Sequence, residues 1–152
     1  MISIVGIDPG QSGGFALINH EEAKAWKMPA TEKDVFAMLE DLDRERDVFA
    51  YIEKVHSMPG QGVSSTFKFG MNYGMLRAFL IALYFPFETV TPRTWQKGLG
   101  IPPKMKTESK TQWKNRLKAK AQELFPDLKI TLAVSDALLI CEFGRRVREG
   151  LL

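Results

Sequence analysis

Three acidic residues stand at positions where a carboxylate is costly unless a cation or hydrogen-bond donors balance it. Asp8 ends the apolar, β-branched segment Ile2–Ile7, and Glu53 directly follows the apolar run Val48–Ile52. Asp136 lies in the first turn of the helix predicted near the end of the sequence. Acids brought together beside buried surface repel each other and raise each other's pKa unless a divalent ion neutralises them.

Carboxylate oxygens are hard ligands that favour Mg²⁺ or Mn²⁺, and paired ions of this kind support hydrolysis of phosphodiesters. Two of the acids also have an ordinary interpretation. Asp8 precedes Pro9-Gly10 and could simply form a turn, and Asp136 could be a helix N-terminal acid stabilised by the helix dipole. The three acids therefore indicate a metal site only in combination.

The elements that would position these acids follow from the hydrophobic pattern. Short apolar segments predict strands at 2–7, 13–19, 23–28, 48–52 and 87–90, the first three as an antiparallel meander. Helical spacing predicts helices from Thr31, from Ser64 to Tyr84, near 93–97, at 107–124 and at 134–147. We therefore expect an α/β fold with a mixed five-stranded sheet flanked by helices.

Size and composition favour one domain covering residues 1–152, because 152 residues with 45% hydrophobic content can bury one core but hardly two. The only cysteine, Cys141, lies among apolar residues and is predicted to be a buried structural thiol. Neither a signal peptide nor a membrane span is apparent, so a cytoplasmic protein without membrane partners is expected.

Basic residues are concentrated in one segment, although the net charge is only +3. This segment contains Lys104, Lys106, Lys110, Lys114, Arg116, Lys118 and Lys120 against the single acid Glu108. It could bind nucleic-acid phosphates, and it could equally be a solvated helix face.

Three acidic motifs, in this order, resemble those of RuvC-type Holliday junction resolvases. They are Gly6-Ile7-Asp8-Pro9-Gly10 with Ser12-Gly13 and Phe15-Ala16-Leu17, then Ile52-Glu53, and then Ser135-Asp136-Ala137-Leu138-Leu139-Ile140. Pro92-Arg93-Thr94-Trp95-Gln96 and the Lys-rich helix ending in Leu124-Phe125-Pro126 resemble the phage and poxvirus branch of that family. The resemblance covers nearly the whole chain.

The resemblance implies an RNase H-like fold, a homodimer and paired symmetric nicking of four-way DNA junctions. It implies that Asp8, Glu53 and Asp136 are the catalytic residues. It also implies that these three acids bind two Mg²⁺ ions and that Mn²⁺ can substitute for Mg²⁺. It also makes a phage protein acting in the host cytoplasm an expectation. Because two symmetric cuts need two sites, the face with Gly70 and Gly74 is predicted to form part of the dimer interface.

Several further residues are predicted to contact DNA. His56 occupies the family's stacking position three residues after the glutamate, so His56 or Met58 could separate unstacked bases, or the loop could be only a mobile surface. The remaining predicted contacts are Lys68, Arg93, Lys104, Lys106, Lys110 and Lys114.

One position departs from the family pattern, because Ala133 stands where family members usually have a fourth acidic or histidine ligand. This departure leaves open an enzyme with three acids, an attenuated enzyme or a junction-binding protein without cleavage. The motif at Gly6–Ser12 also resembles the phosphate-binding start of actin-like ATPases, but those use two such lobes and this chain has room for one.

Overall fold

A five-stranded mixed sheet forms the centre of the structure, a computed structural model that describes residues 1–152. Its strands are β1 (Ser3–Asp8), β2 (Gly14–Ile18), β3 (Ala23–Lys27), β4 (Val48–Glu53) and β5 (Phe87–Val90). They lie in the order β3-β2-β1-β4-β5. The pairs β1–β2 and β2–β3 are antiparallel and the pairs β1–β4 and β4–β5 are parallel, which confirms the predicted fold class.

Five helices flank this sheet. They are α1 (Glu32–Asp43), α2 (Val63–Ala82), α3 (Pro92–Gly98), α4 (Lys110–Leu124) and α5 (Leu132–Arg148). Thr31 caps α1 as predicted, since its side chain accepts a hydrogen bond from the Asp34 amide. None of the helices combines the length and apolar character needed to cross a bilayer.

Two predicted helix starts are wrong. Helix α4 begins at Lys110 rather than near Thr107, because Ser109 and Gln112 form a reciprocal capping box. Helix α5 begins at Leu132, so its first turn contains no acid and Asp136 is its fifth residue. The interpretation of Asp136 as an acid stabilised by the helix N-terminus therefore does not hold.

The sheet separates two hydrophobic clusters. Alternation along β1 sends Ile4 toward the cluster that includes α5, and sends Val5 and Ile7 toward the cluster that includes α1 and α2. Cys141 is fully buried in the first cluster, where its Sγ lies 3.0 Å from the Ile4 carbonyl oxygen. This confirms the predicted buried thiol.

Candidate active site

Two of the three predicted acids end neighbouring parallel strands. Strands β1 and β4 pair in a register that places Ile7 opposite Ile52, one residue before Asp8 and Glu53 respectively. Because side chains alternate along a strand, both acids lie on the face of Ile4 and Tyr51, which α5 covers. The pairing therefore brings Asp8 and Glu53 to the same edge and the same face of the sheet.

Helix α5 brings the third acid to this edge because two glycines allow its backbone to approach the sheet. A Cβ atom at Gly6 would lie 2.2 Å from the Ala137 carbonyl oxygen, and one at Gly14 would lie 2.9 Å from that of Ala133. Any side chain at Gly6 would push the helix away. Asp136 directly precedes Ala137, whose carbonyl oxygen makes the closest of these contacts, and Asp8 lies two residues beyond Gly6. The close approach therefore brings Asp136 near Asp8.

All three acids line one open cavity of about 990 Å³. The loop between β1 and β2 forms one wall, and Lys68, Lys110 and Lys114 also line the cavity. Ala133 lies there too, one helical turn before Asp136, and contributes no side-chain oxygen. The fold thus gathers three carboxylates and three ammonium groups that are far apart in the sequence.

Burial and mutual repulsion disfavour the charged form of these acids in the metal-free protein. Burial raises the pKa of Asp8 well above its usual range, and the charges of Asp136 and Glu53 raise it further. Burial also raises the pKa of Glu53, to about 7, and that of Asp136. The cavity is therefore a place where added positive charge is favourable.

Two side chains that the sequence analysis did not connect with the acids make direct contact with them. Trp95 of α3 is buried, and its indole Nε1 donates a hydrogen bond to Glu53 Oε2 at 2.7 Å. Lys114 of α4 lies with its Nζ 3.4 Å from Asp136 Oδ2. Although burial alone would lower the pKa of Lys114, the charges of Asp136 and Asp8 raise it.

A sequence signal for Lys114 was available, because it continues at helical spacing the stripe of Leu117 and Ala121, which are buried. A lysine on the buried stripe of a basic helix is expected to meet an acid. Trp95 had no comparable signal beyond its place in the phage-like motif, since the partner of a buried indole depends on the tertiary fold.

The donor set suits a hard divalent cation, because three carboxylates from three elements share one cavity, and the charges of Asp136 and Glu53 raise the pKa of Asp8. The side chains are not already closed around an ion position. No group of three or more His, Cys, Asp or Glu side chains lies in an arrangement that could hold a metal ion. An ion would therefore have to draw the carboxylates together.

The predicted DNA contacts fall into two groups. Lys68, Lys110 and Lys114 line the cavity. The others are exposed and lie outside its lining: His56, Met58, Arg93, Lys104 and Lys106.

Arg116 belongs to neither group, although it lies in the same basic segment. Its guanidinium donates to the carbonyl oxygens of Pro102 and Pro103 and to Glu108, and it lies 4.4 Å from the centre of the Trp113 ring. This residue fixes the loop that carries Lys104 and Lys106, so part of the basic segment has a structural role.

Solved structures with this fold match nearly the whole chain. Thermus thermophilus RuvC in complex with a Holliday junction substrate has a TM-score of 0.66 at 16% identity, over 99% of this chain and 97% of that one. Another Thermus thermophilus RuvC structure has a TM-score of 0.64 at 16% identity, over 98% and 97%. Fowlpox virus resolvase with its substrate Holliday junction DNA has a TM-score of 0.51 at 14% identity, over 95% and 99%.

No protein-family model matches the sequence, and no curated protein matches it. At identities this low, the likeness to the solved structures bears on the fold. The predicted resemblance is confirmed at that level: the chain has the RNase H-like fold of RuvC, with the mixed sheet and flanking helices that the sequence indicated.

Proposed function

We propose that the protein is a divalent-metal-dependent endonuclease that cuts four-way DNA junctions. The observation that carries this proposal is the cavity in which Asp8, Glu53 and Asp136 face three lysines. Carboxylates that hold hard cations, combined with ammonium groups that attract phosphate, suit hydrolysis of a phosphodiester. The RuvC and fowlpox resolvase structures with this fold contain Holliday junction DNA, which supports a branched substrate.

Asp8, Glu53 and Asp136 are the proposed ligands of Mg²⁺, with Mn²⁺ as a substitute. When bound, the metal supplies an activated water and stabilises the oxygen that leaves. Trp95 fixes Glu53 through Oε2 and leaves the other carboxylate oxygen free for a ligand role. Lys114 neutralises Asp136 in the metal-free protein, and its ammonium lines the cavity, where it is available to pair with a phosphate of the substrate.

DNA binding is assigned to the lysines in and beside the cavity. Lys68 and Lys110 flank the acids, and Lys104 and Lys106 extend the positive surface on the loop before α4. Arg93 would reach a more distant phosphate, and the exposed loop with His56 and Met58 would enter the junction centre. Such phosphate contacts predict an affinity that falls steeply with salt concentration.

Paired symmetric nicks require two sites, and we propose that a second copy of this chain supplies the other one. The outer face of α2 is the proposed interface. It is a stripe of exposed apolar and glycine residues: Val63, Phe67, Gly70, Met71, Gly74 and Ile81. A Cβ atom at either glycine would meet nothing within 4 Å, so within one chain neither glycine is needed for packing.

A labelled four-way junction incubated with and without Mg²⁺ tests the proposal. We expect symmetric nicks in two opposing strands with Mg²⁺, and none with EDTA. Asp8→Asn should abolish the nicks and retain junction binding, whereas Asp41→Asn, an exposed acid on α1, should change neither. Tight binding with no Mg²⁺-dependent product would refute the nuclease.

A second candidate is a junction-binding protein that does not cleave, and Ala133 favours it because this residue removes a side-chain oxygen from the cavity. In the same assay this candidate predicts binding without nicks. Ala133→Asp should then create Mg²⁺-dependent cleavage or, in an already active protein, accelerate it. An unchanged rate across a Mg²⁺ titration would show that the missing oxygen is not limiting.

A further inference from the structure

The loop between β1 and β2 directly follows Asp8, and one side chain of α2 holds it. The backbone amide of Gly10 donates a hydrogen bond of 2.7 Å to Asn72 Oδ1, across 62 positions of sequence. Gly10 is buried, and its φ of +102° is one that residues with a side chain rarely adopt. The loop therefore depends on a particular backbone conformation and on a partner far away in the sequence.

The contacts around Gly10 leave the loop little freedom while this bond is present. A Cβ atom at Gly10 would lie only 2.7 Å from a carbon of the Phe69 ring, which also belongs to α2, so the ring leaves no room for a side chain there. On the other side, the Gly13 amide donates to the Gly10 carbonyl oxygen at 3.0 Å. Gly13 in turn packs directly against the Asp8 carbonyl oxygen.

We infer that Asn72 is a positioning residue for Asp8, holding the Gly10 amide so that the carboxylate stays at the cavity wall. The inference rests on the proposed function. Pro9 is the only residue between Asp8 and Gly10, and its ring restricts φ, so a displacement at Gly10 passes to the end of β1. A buried amide without a partner is unfavourable, so the loop would have to move to find another acceptor.

The chemistry of the contact separates this role from mere packing. Asn72 takes part through its oxygen, as an acceptor, so Asn72→Asp keeps the interaction and Asn72→Leu removes it at nearly the same size. A packing role would be served about equally well by leucine. A positioning role requires an oxygen, and aspartate should restore it.

Asn19 offers a matched control. Its Oδ1 accepts hydrogen bonds from the amides of Glu21 and Glu22 in the β2–β3 turn, which lies at the opposite end of β1 from Asp8. Asn19→Leu therefore removes the same kind of contact far from the cavity. It should change stability without changing metal binding.

The test measures four quantities for each variant: Mn²⁺ affinity of the DNA-free protein by calorimetry, hydrogen exchange of the Gly10 amide, the single-turnover rate on a labelled junction, and the affinity for that junction in EDTA. We expect Asn72→Leu to weaken Mn²⁺ binding and slow cleavage by about 10- to 100-fold, because losses of this size usually follow when a residue that orients a metal ligand is removed. Gly10 exchange should accelerate and junction affinity in EDTA should stay the same. Asn72→Asp should recover most of each loss, and Asn72→Ala replaces the leucine variant if that one does not fold.

Wild-type Mn²⁺ affinity and cleavage in Asn72→Leu would overturn the inference while leaving the proposed nuclease intact. Failure of Asn72→Asp to recover Mn²⁺ affinity would overturn it too, since the oxygen would not be the required feature. A wild-type protein that neither binds Mn²⁺ nor cuts would instead refute the proposed function, and the role of Asn72 with it.

Discussion

The hydrogen bond from Trp95 to Glu53 is the most specific contact that an acid of the cavity makes. Burial raises the pKa of Glu53, whereas this hydrogen bond lowers it. The pKa of about 7 is therefore below the value that burial alone would give. Trp95→Phe keeps a buried ring and removes the donor, so the Glu53 pKa should rise further and its carboxylate should lose its fixed orientation. The Mg²⁺ concentration for half-maximal cleavage should increase about 10-fold or more.

Carboxyl chemical shifts followed through a pH titration of the metal-free protein measure the first effect directly, and a Mg²⁺ titration of cleavage measures the second. Trp26→Phe is the control, because Trp26 is a half-buried tryptophan of β3 that lies away from Glu53. An unaltered Glu53 pKa in Trp95→Phe would mean that the indole contributes packing alone.

The same carboxylate links stability to pH. The pKa of Glu53 is about 7 in the folded protein and ordinarily 4.5, so between these values the folded state binds more protons than the unfolded chain. The resulting stabilisation is fully present below pH 4.5 and is lost as the pH rises through about 7. Asp8 acts in the same direction, because its pKa is also raised.

We therefore expect the unfolding free energy in EDTA to fall by on the order of 3 kcal/mol between about pH 5 and pH 8. Urea unfolding at the two pH values measures the change. Glu53→Gln should make the dependence clearly shallower, and Mg²⁺ at the higher pH should restore stability to the wild type. Equal pH dependence in wild type and Glu53→Gln would contradict the assignment.

At the scale of elements, the approach of α5 to β1 decides whether the acids meet. Gly6→Ala would place a Cβ atom 2.2 Å from the Ala137 carbonyl oxygen and 2.6 Å from the Cys141 amide nitrogen, both backbone atoms that cannot rotate away. The helix would have to shift, which should destabilise the protein by at least about 1–3 kcal/mol. The shift would also move Asp136 and reduce Mg²⁺-dependent cleavage.

Gly62→Ala is the control for stability, because Gly62 has an ordinary φ of −61° and a Cβ atom there would meet only the Ser65 Oγ, at 3.9 Å. Thermal unfolding of both variants at one protein concentration should show a clear loss for Gly6→Ala and little change for Gly62→Ala. A Gly6→Ala protein as stable as wild type would show that α5 does not depend on this close approach.

The strands and most helices could be predicted because their hydrophobic patterns are local. The start of α4 was missed although a local signal was present, since the capping box of Ser109 and Gln112 marks Lys110 as the first residue of the helix. The loop before it could not be predicted, because Arg116 holds the carbonyl oxygens of Pro102 and Pro103. Helical periodicity contains no information about such a contact.

At the scale of the whole molecule, the sequence could indicate which acids matter but not what surrounds them. Asp8 and Glu53 interrupt apolar runs, which is visible in one dimension. The buried stripe of α4 marks Lys114 as a lysine that should meet an acid, but not which acid. The indole beside Glu53 comes from α3, whose placement follows only from packing against α5. The candidate site was therefore predictable in its charged residues and not in the pairings among the groups that orient them.

The outer face of α2 is the proposed interface through which a second copy would supply a second cavity. Its exposed side chains include Val63 at 89%, Phe67 at 67% and Ile81 at 61% exposure, on a helix whose inner face is packed against the sheet. When several apolar side chains along one helix face are this exposed, a partner is expected to cover them. Gly70 and Gly74 lie in the middle of this stripe, where the absence of side chains lets a second helix approach closely.

Replacing Gly70 and Gly74 together with leucine should therefore separate the proposed dimer without disturbing the fold of one chain. Sedimentation velocity should show a wild-type dimer and a monomeric variant, and the monomer should lose paired cuts on a four-way junction because one molecule offers a single cavity. Ala37→Leu, on the exposed side of α1, adds a comparable side chain and should remain dimeric. A double variant that sediments like wild type would exclude this face, and paired cuts from a confirmed monomer would show that the two nicks do not need two subunits.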